Sequence, residues 1–453
     1  MRRMLIGALA AAAIGAAVAG QAPQPPVPTF ALALTGDSII TRKLSVHAEP
    51  AFTRLVDLIR GADASFTNLE VLFHDYEPAP MHESGGTWMR ADPALAKELA
   101  WAGFDLVSRA NNHTGDYGPE GMRLTSKHVR EAGLVEAGVG ESLAEAREAR
   151  FLDTPKGRVA LISVASTFPD HSRAAAARNG VRGRPGLSPL RFTTTYQVTR
   201  AQLDSLRATA RALGQRAPEG DRVRLFGQLF VVADAPAVRT EPLKEDLDQI
   251  AAVVRSASRL SDLTIVTIHA HEGAPGDRSA PAQFLPIFAR AMIDAGADVF
   301  AGHGPHVVRG VEIYQGKPIL YSLGDFIFQN ETLLRMPSEA YAQYGLGPDA
   351  GVADFNARRY DNDTRGFPAD REIWEGLVAV AAWQGRRLVE LRLHPITLGF
   401  GQPAARRGRP MLAEGELARK ILNDVAERSK PFRTDIQVSG SVGVVAIRRP
   451  TND

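Results

Sequence analysis

Residues with metal-binding side chains recur where apolar stretches of the sequence end. Five of the eleven histidines belong to this set. Because cysteine is absent, any metal ligand must be His, Asp, Glu or Asn, and imidazoles mixed with oxygen ligands suit Zn, Mn or Fe. The set is larger than one four-ligand site needs, which favours two ions bridged by a carboxylate and about 3.5–4 Å apart. Its members are Asp37, Glu70, Asn112, His113, His269, His271, His303 and His306.

Several of these residues, taken alone, also have a structural interpretation. Asp37, after Gly36, could cap a following helix, and Glu70 could lie on the surface. Asn112 could serve a turn, since Asn tolerates left-handed backbone. His269, at the end of an apolar run, could be a core histidine with satisfied hydrogen bonds. Their joint occurrence at five strand ends favours the metal site.

Short apolar runs alternate with stretches of helical spacing, which predicts an α/β or α+β layered fold. In open α/β sheets, sites form at the carboxyl ends of strands, where these candidate ligands fall. Strands are predicted at residues 30–35, 64–69, 104–108, 159–164, 263–268, 298–301, 318–322, 377–383, 388–393 and 442–447. Helices are predicted at 51–60, 93–102, 118–132, 282–295 and 414–427, and residues 192–258 are predicted as two helical stretches around one strand at 224–232.

The composition excludes several classes of protein. Of the 453 residues, 44% are hydrophobic and 23% are charged, which is ordinary for a globular chain and rules out a collagen-like or wholly disordered one. A formal net charge of +2 gives no general attraction to nucleic acid, so no nucleic-acid partner is expected. The absence of cysteine excludes disulfides, iron–sulfur clusters, a Cys nucleophile and a lipoprotein anchor.

The N-terminus has the pattern of a targeting segment. Arg2 and Arg3 precede an Ala-rich apolar run, and Ala17-Val18-Ala19 suits signal peptidase, so residues 1–19 are predicted as a cleaved signal peptide. An uncleaved membrane anchor is the alternative, although the apolar run of 16 residues is shorter than the roughly 20 that span a bilayer. Residues 20–29 are Pro-rich and predicted as a linker. We therefore expect an exported protein, periplasmic where the cell has an outer membrane.

The rest of the chain divides into three predicted parts. Residues 30–328 carry the strand-end motifs and form the principal domain. Residues 329–373 are polar with interspersed aromatics, and they are predicted as an inserted loop or lid. Such a segment could close over a polymer or could be a mobile surface loop. Residues 374–453 carry further strand and helix patterns that could complete the same domain.

A series of short motifs occurs in a fixed order between residues 30 and 330. They are Thr35-Gly36-Asp37, Thr67-Asn68-Leu69-Glu70, Ala110-Asn111-Asn112-His113 with Asp116 and Gly118, Arg184-Pro185-Gly186, and residues 267–272 (TIHAHE), 295–306 (AGADVFAGHGPH) and 316–328 (GKPILYSLGDFIF). The ordered set resembles the bacterial capsule synthesis protein family, the CapA-type proteins of poly-γ-glutamate capsule biosynthesis. That family is related to the calcineurin-like metallophosphoesterases.

The resemblance implies a four-layer metallophosphatase-like sandwich, with two central sheets flanked by helices. It also implies roles at matching positions: Asp37 and His306 as ligands of a first metal, Glu70 as the bridging carboxylate, Asn112, His269 and His303 as ligands of a second metal, and His113 as the general acid. Ile39 stands where the phosphoesterases have a ligand His, and Asp325 where the family often has Asn. Whether one ion or two is held, and whether His271, Glu272 and Asp325 join the site, stays open.

The function implied is that of a metal-dependent hydrolase of capsular or cell-envelope polymer, acting on a poly-γ-glutamate-type amide or a phosphoester. The alternative is a non-catalytic assembly or export factor for an anionic capsular polymer, and a capsule synthesis membrane complex could be its partner. Arg184, beside Pro185 and Gly186, could bind an anionic substrate group through two parallel hydrogen bonds, or could be an ordinary exposed arginine.

Overall fold

The computed structural model describes residues 29–447. The predicted signal peptide at 1–19 lies outside the described residues, as does the predicted linker apart from Thr29, which begins a strand. Among the described helices, none is both long and apolar enough to cross a membrane.

A mixed sheet of ten strands forms one half of the core. Its central strand, Thr29–Ile39, pairs along one edge with the parallel strand Ala64–Leu69. Two strands share the other edge: Glu375–Gln384 pairs antiparallel with residues 29–34, and Asp325–Phe328 pairs parallel with residues 37–39. In spatial order the sheet contains Ile436–Ser439, Val442–Val445, Arg387–Thr397, Glu375–Gln384, Thr29–Ile39, Ala64–Leu69, Leu106–Ser108 and Val135–Ala137, with Asp325–Phe328 beside the central strand and Met411–Leu412 beside Arg387–Thr397.

A second sheet has six strands and a parallel centre. Leu263–His269 lies between two parallel neighbours, Gly157–Ala165 and Val299–His303. In spatial order this sheet contains Val311–Tyr314, Lys317–Leu320, Val299–His303, Leu263–His269, Gly157–Ala165 and Arg150–Thr154.

The helices follow the periodic stretches of the sequence closely. In the helix Gly118–Glu131 (α3), Pro119 stands in the first turn, where its missing N–H costs nothing, and Gly133 lies just past the end with φ of +85°, a conformation that favours glycine. The helices are α1 (Pro50–Arg60), α2 (Ala96–Ala102), α3 (Gly118–Glu131), α4 (Leu143–Arg147), α5 (Arg200–Ala212), α6 (Lys244–Ala257), α7 (Phe284–Asp294), α8 (Ser338–Ala342), α9 (Val352–Tyr360) and α10 (Gly415–Ser429).

The sheets and helices form four layers. Between the two sheets lies an apolar core in which Leu34 and Phe66 of the first sheet and Leu161 and Ile265 of the second are fully buried. Helices α1 and α2 cover the outer face of the first sheet, and α6 and α7 cover the outer face of the second. The predicted layered α/β sandwich is therefore confirmed. Each fully buried leucine contributes about 1.5–3 kcal/mol relative to an exposed one.

The strand ends differ from the prediction at the central strand. We expected a turn at Gly36-Asp37, but the strand continues through Asp37 to Ile39, with an irregular register between Leu34 and Asp37. Gly36 serves close packing, because a Cβ atom there would lie 1.7 Å from the carbonyl oxygen of Gly324. Helix α1 begins at Pro50, so Asp37 caps no helix.

Residues 192–258 hold more strand than predicted. Helices α5 and α6 are present, but the single expected strand is a hairpin, because Phe226 and Gly227 both have positive φ and reverse the chain. Two further strands, Phe192–Val198 and Ala237–Pro242, were missed because polar residues interrupt their apolar ones and neither shows an apolar run. The resulting four-stranded sheet contains Arg222–Leu225, Gln228–Val232, Phe192–Val198 and Ala237–Pro242.

The segment at residues 329–373 carries secondary structure of its own, including α8 and α9. Phe355 of α9 packs with Trp88 and Tyr117 in a small apolar cluster. The segment is therefore folded against the principal domain. Three short strand pairs complete the structure: Leu72–Phe73 with Arg90–Ala91, Val139–Gly140 with Gly186–Leu187, and Gly273–Ala274 with Asp277–Pro281.

Candidate metal centre

The carboxyl ends of the parallel strands in both sheets meet at one place. The first sheet contributes Asp37 from its central strand and Glu70, which directly follows the strand Ala64–Leu69. The second sheet contributes His269 and His303, the last residues of two adjacent strands, paired in register. All four side chains are buried. The sequence-predicted ligands at these strand ends are therefore brought together.

One group of possible ligands consists of Asp37, His269 and His303. Oδ1 of Asp37 lies 3.6 Å from Nδ1 of His269 and 3.4 Å from Nδ1 of His303. The two Nδ1 atoms are 3.1 Å apart. Nε2 of His303 lies 2.7 Å from Oγ1 of Thr267, a contact that fixes the ring and leaves Nδ1 for a cation.

A second group shares Asp37 and adds Glu70 and His306. Nδ1 of His306 lies 4.0 Å from Oδ2 of Asp37, and its Nε2 lies 4.0 Å from Oε1 of Glu70. His306 has φ of +56°, in the left-handed region. For a residue with a Cβ this conformation costs of order 1 kcal/mol, and such strain is concentrated at functional sites.

Glu70 also belongs to a third group, with His269 and His271. Its Oε1 lies 3.6 Å from Nε2 of His269, whose Nε2 in turn lies 2.9 Å from Nε2 of His271. Both carboxylate oxygens of Glu70 are buried without a hydrogen-bond partner among the described residues. A buried carboxylate without donors is costly, and a cation between these imidazoles would compensate it. The donor set therefore fits a metal ion.

Asn112 and His113 lie in the short turn Asn112–Gly115, beside the carboxylates. The amide nitrogen of Asn112 donates to the carbonyl of Gly85, so its Oδ1 is left buried and unpaired in the described structure. Nε2 of His113 lies 3.8 Å from Oε1 of Glu70, and its Nδ1 lies 2.7 Å from Oδ2 of Asp116. This geometry places an imidazole nitrogen at the edge of the carboxylate cluster.

The electrostatics keep Asp37 charged and His269 neutral, and they make the charged form of Glu70 costly unless a cation is bound. Burial alone would raise the pKa of Asp37, but His269 and His303 hold that pKa well below its usual range. Burial, reinforced by the negative charges of Asp37 and Asp325, raises the pKa of Glu70 well above its usual range. Burial lowers the pKa of His269 to about 4, so this imidazole is neutral at pH 7 and free to bind a cation.

Three residues left open by the sequence have distinct places. His271 joins the third ligand group, and burial lowers its pKa well below the usual value. Asp325 lies 2.8 Å from Nδ1 of His306 and so orients that ring. Glu272 accepts hydrogen bonds from Ser166 and Thr167 and anchors the loop.

Arg184 is exposed, and its Nε donates to the carbonyl of Arg173. Arg184 lies on the loop of residues 173–186, and no contact joins it to the described metal-ligand groups. Its role in substrate binding stays a prediction.

Sequence reasoning assigned no site role to two residues that the structure brings into the cluster. The Nδ2 of Asn68 donates to Oδ1 of Asp37 at 2.7 Å, and Thr267 contacts His303. Side chains alternate between the two faces of a strand, and this alternation could have indicated both residues. Asn68 stands two residues before Glu70, and Thr267 stands two before His269.

The fold is that of a layered α/β protein, with two stacked sheets between layers of helices. Its candidate metal centre is the buried cluster of carboxylates and imidazoles where the parallel strands end. The chain belongs to the bacterial capsule synthesis protein family: residues 31–330 match the profile of the bacterial capsule synthesis protein PGA_cap. The predicted family resemblance is thus confirmed.

Similar proteins extend this finding. The protein named y4sH of Sinorhizobium fredii is 38% identical over 437 residues, covering 92% of this chain and 93% of its own length. The PGA biosynthesis protein CapA of Bacillus subtilis is 25% identical over 350 residues, 72% of each chain. A protein of Mycobacterium tuberculosis named a probable polyglutamine synthesis accessory protein is 28% identical over 229 residues, 49% of this chain and 44% of its own.

Proposed function

We propose that this protein is an exported, metal-dependent hydrolase that acts on a capsular or cell-envelope polymer, cleaving a poly-γ-glutamate-type amide or a phosphoester. The observation that carries the proposal is the carboxylate of Glu70. It is fully buried, has no hydrogen-bond donor among the described residues, and lies 3.6–4.0 Å from nitrogens of three imidazoles. Membership of the capsule synthesis family supports the polymer as the class of substrate.

Two divalent ions, of Mn, Zn or Fe, would be held here. Asp37, His269 and His303 would hold one ion, and Asp37, Glu70 and His306 the other, so that the carboxylate shared by these two groups is Asp37 and not Glu70, to which the family resemblance gives the bridging role. Asn112 would add its unpaired Oδ1. When bound, such ions polarise the scissile group and lower the pKa of a water molecule, which generates a nucleophile at neutral pH.

The chain's own residues supply the remaining chemistry. His113, as the imidazolium, would give its Nε2 proton to the leaving group, and Asp116 accepts a hydrogen bond from Nδ1–H at 2.7 Å and stabilises the charged ring. Asp116 is in turn held by the backbone N–H groups of Gly85 and Met89. Phe328 and Phe367 pack around His306 and exclude water from that side of the cluster.

A non-catalytic assembly or export factor for an anionic polymer is the second candidate function. The observation in its favour is that the M. tuberculosis relative is named an accessory protein of synthesis. In that case the ions would bind carboxylates of the polymer or stabilise the fold. The partner would be a capsule synthesis membrane complex.

Elemental analysis of the purified full chain tests the metal centre. We expect about two ions per chain in the parent and a loss of ions in Asp37→Ala, Glu70→Ala and His303→Ala. His128→Ala, at a partly exposed histidine on α3, is the matched control and should retain the parent content. One ion in the parent would overturn the two-ion centre, and none after refilling with Mn and Zn would end the hydrolase proposal.

Turnover separates the two functions. With poly-γ-glutamate and an aryl phosphoester as substrates, His113→Ala should lose about 10²–10⁴-fold in rate while keeping its metal, and His128→Ala should match the parent. A metal-loaded parent without turnover on either substrate would contradict the hydrolase and leave the assembly role.

A further inference from the structure

The segment at residues 329–373 forms part of the wall of the metal centre. The ring of Phe367 lies 5.6 Å from the ring of His306 and 5.1 Å from that of Phe328. A residue that contacts Phe367 is therefore separated from His306, a metal-ligand candidate, by one aromatic ring.

Arg359, in the last turn of α9, is such a residue. Its guanidinium carbon lies 5.6 Å from the ring centre of Phe367, 5.1 Å from that of Tyr360 and 5.8 Å from that of Phe355. The faces of aromatic rings attract a guanidinium group and hold it in a fixed orientation. Arg359 is half-buried, whereas its neighbour Arg358 is exposed.

A hydrogen bond connects Arg359 to the loop that contains Thr87, on the other side of the site. Its Nη1 donates to Oγ1 of Thr87. The loop that contains Thr87 is bound to the general-acid turn, because the carbonyl of Gly85 accepts from Asn112 and the N–H of Gly85 donates to Asp116 at 2.9 Å. The guanidinium is thus held between the wall that carries His306 and the wall that carries His113.

The charge of Arg359 is not neutralised by the protein. Within residues 29–447 it makes no ion pair, whereas Arg407, which contacts the same segment, is paired with both Glu331 and Asp363. A guanidinium has five N–H donors, and Thr87 is the single hydrogen-bond acceptor found for the Arg359 side chain in the described structure. The remaining donors match the paired oxygens of a carboxylate or a phosphate.

We propose that Arg359 binds an anionic group of the substrate, a carboxylate or a phosphate, next to the bond that is positioned at the metal centre. The inference rests on the proposed function, and it makes residues 329–373 the source of specificity for a polyanion.

Binding of two small probes to the metal-loaded full chain tests this role. Inorganic phosphate and γ-glutamylglutamate are titrated calorimetrically against the parent, Arg359→Ala, Arg359→Lys and Arg358→Ala. We expect Arg359→Ala to bind the preferred probe at least tenfold more weakly, and Arg359→Lys to show an intermediate loss because it keeps the charge without the planar fork. The neighbouring Arg358→Ala should stay within twofold of the parent. The probe that responds distinguishes a phosphate from a carboxylate ligand.

Equal binding by the parent and Arg359→Ala, or no binding of either probe to the parent, would overturn the inference. Metal content and thermal midpoint are measured on the same samples. A normal metal content with unaltered anion binding rejects Arg359 alone, whereas an absence of metal in the parent rejects the proposed function. If Arg359→Ala does not fold, Arg359→Lys decides, because it keeps a positive charge beside the rings and removes only the planar set of donors.

Discussion

Nδ1 of His306 lies 2.8 Å from Oδ1 of Asp325, and this contact turns Nε2 of the same ring to within 4.0 Å of Glu70. Although burial alone would lower the pKa of His306, the carboxylate of Asp325 raises it. The pair therefore makes the imidazole a better base and fixes which nitrogen faces the cluster.

Asp325→Ala should weaken metal binding about 10–100-fold, the usual effect of removing the residue that orients a ligand histidine. Asp325→Asn keeps an acceptor oxygen and should bind metal close to the parent level. Competition with a chromophoric chelator measures both affinities. Asp153→Asn, at an exposed carboxylate, is the control. Equal affinities in the parent and Asp325→Ala would contradict the orienting role.

Glu70→Gln should have opposite effects on the metal-free and the metal-loaded protein. Since the folded-state pKa of Glu70 is raised, its charged form penalises the fold, and the penalty grows as the pH rises above the unfolded-state value. The Gln variant should therefore raise the free energy of unfolding of the metal-free protein at pH 7 by about 1–3 kcal/mol. It should also lose most of the stabilisation that added metal gives the parent. Urea titrations with and without chelator measure both quantities, and a variant less stable than the parent in chelator would reject the buried-charge argument.

Asp246, outside the metal centre, should make the stability of the fold depend on pH. Burial would raise its pKa, but hydrogen bonds from Arg191 and Arg147 outweigh burial and lower it. A lowered folded-state pKa means that the stabilisation is complete above about pH 4, the ordinary value for Asp, and is lost as the pH falls through the folded-state pKa. Asp246→Asn should cost about 3–5 kcal/mol at pH 7, because it leaves the buried Arg147 unpaired.

The same comparison at pH 3 should show a smaller difference between Asp246→Asn and the parent. Asp248→Asn, two residues away in α6, removes an exposed ion pair with Lys244 and should cost less than about 1 kcal/mol. Chemical unfolding at the two pH values measures all of these differences. A pH-independent cost for Asp246→Asn would show that the carboxylate charge is not responsible.

Gly36→Ala should damage both stability and the metal centre. The added Cβ would meet the carbonyl oxygen of Gly324 at 1.7 Å, so the strands that carry Asp37 and Asp325 must separate. We expect a loss of about 3 kcal/mol and a reduced metal content. Gly347→Ala is the matched control, because a Cβ there meets nothing within 4 Å and its φ is not left-handed. Parent-like metal content in a folded Gly36→Ala protein would refute the coupling.

The layered fold could be predicted from the sequence because its central strands are continuous apolar runs that end in ligand-type residues. The run from Leu263 to His269 shows both features. The small sheet that contains Phe192–Val198 could not be predicted, because its strands are only half-buried and therefore lack a clear apolar pattern.

The candidate site was predictable to the extent that its residues stand at strand ends. Asp37, Glu70, His269 and His303 meet because parallel strands place their carboxyl ends along a common edge. The position of Arg359 could not be inferred, since nothing local in the sequence tells which rings a helix in an inserted segment will contact. Arg184 belongs to a recognisable motif with Pro185 and Gly186, yet its side chain lies on an exposed loop.

Glu375–Gln384 and Asp325–Phe328 share one edge of the central strand. This pairing has a consequence for the order in which the metal centre is assembled. Asp37 and Glu70 leave the ribosome early, but the N–H of Gly304 that holds Asp37 is 267 residues further along the chain. Closing such a loop costs entropy before any contact repays it, and chains dominated by distant pairings fold slowly. Until residues beyond 302 have been made, the two acids lack His303 and His306 and also the strands Asp325–Phe328 and Glu375–Gln384 that complete their own sheet. The ability to hold a cation therefore depends on folding that joins the first and the middle parts of the chain.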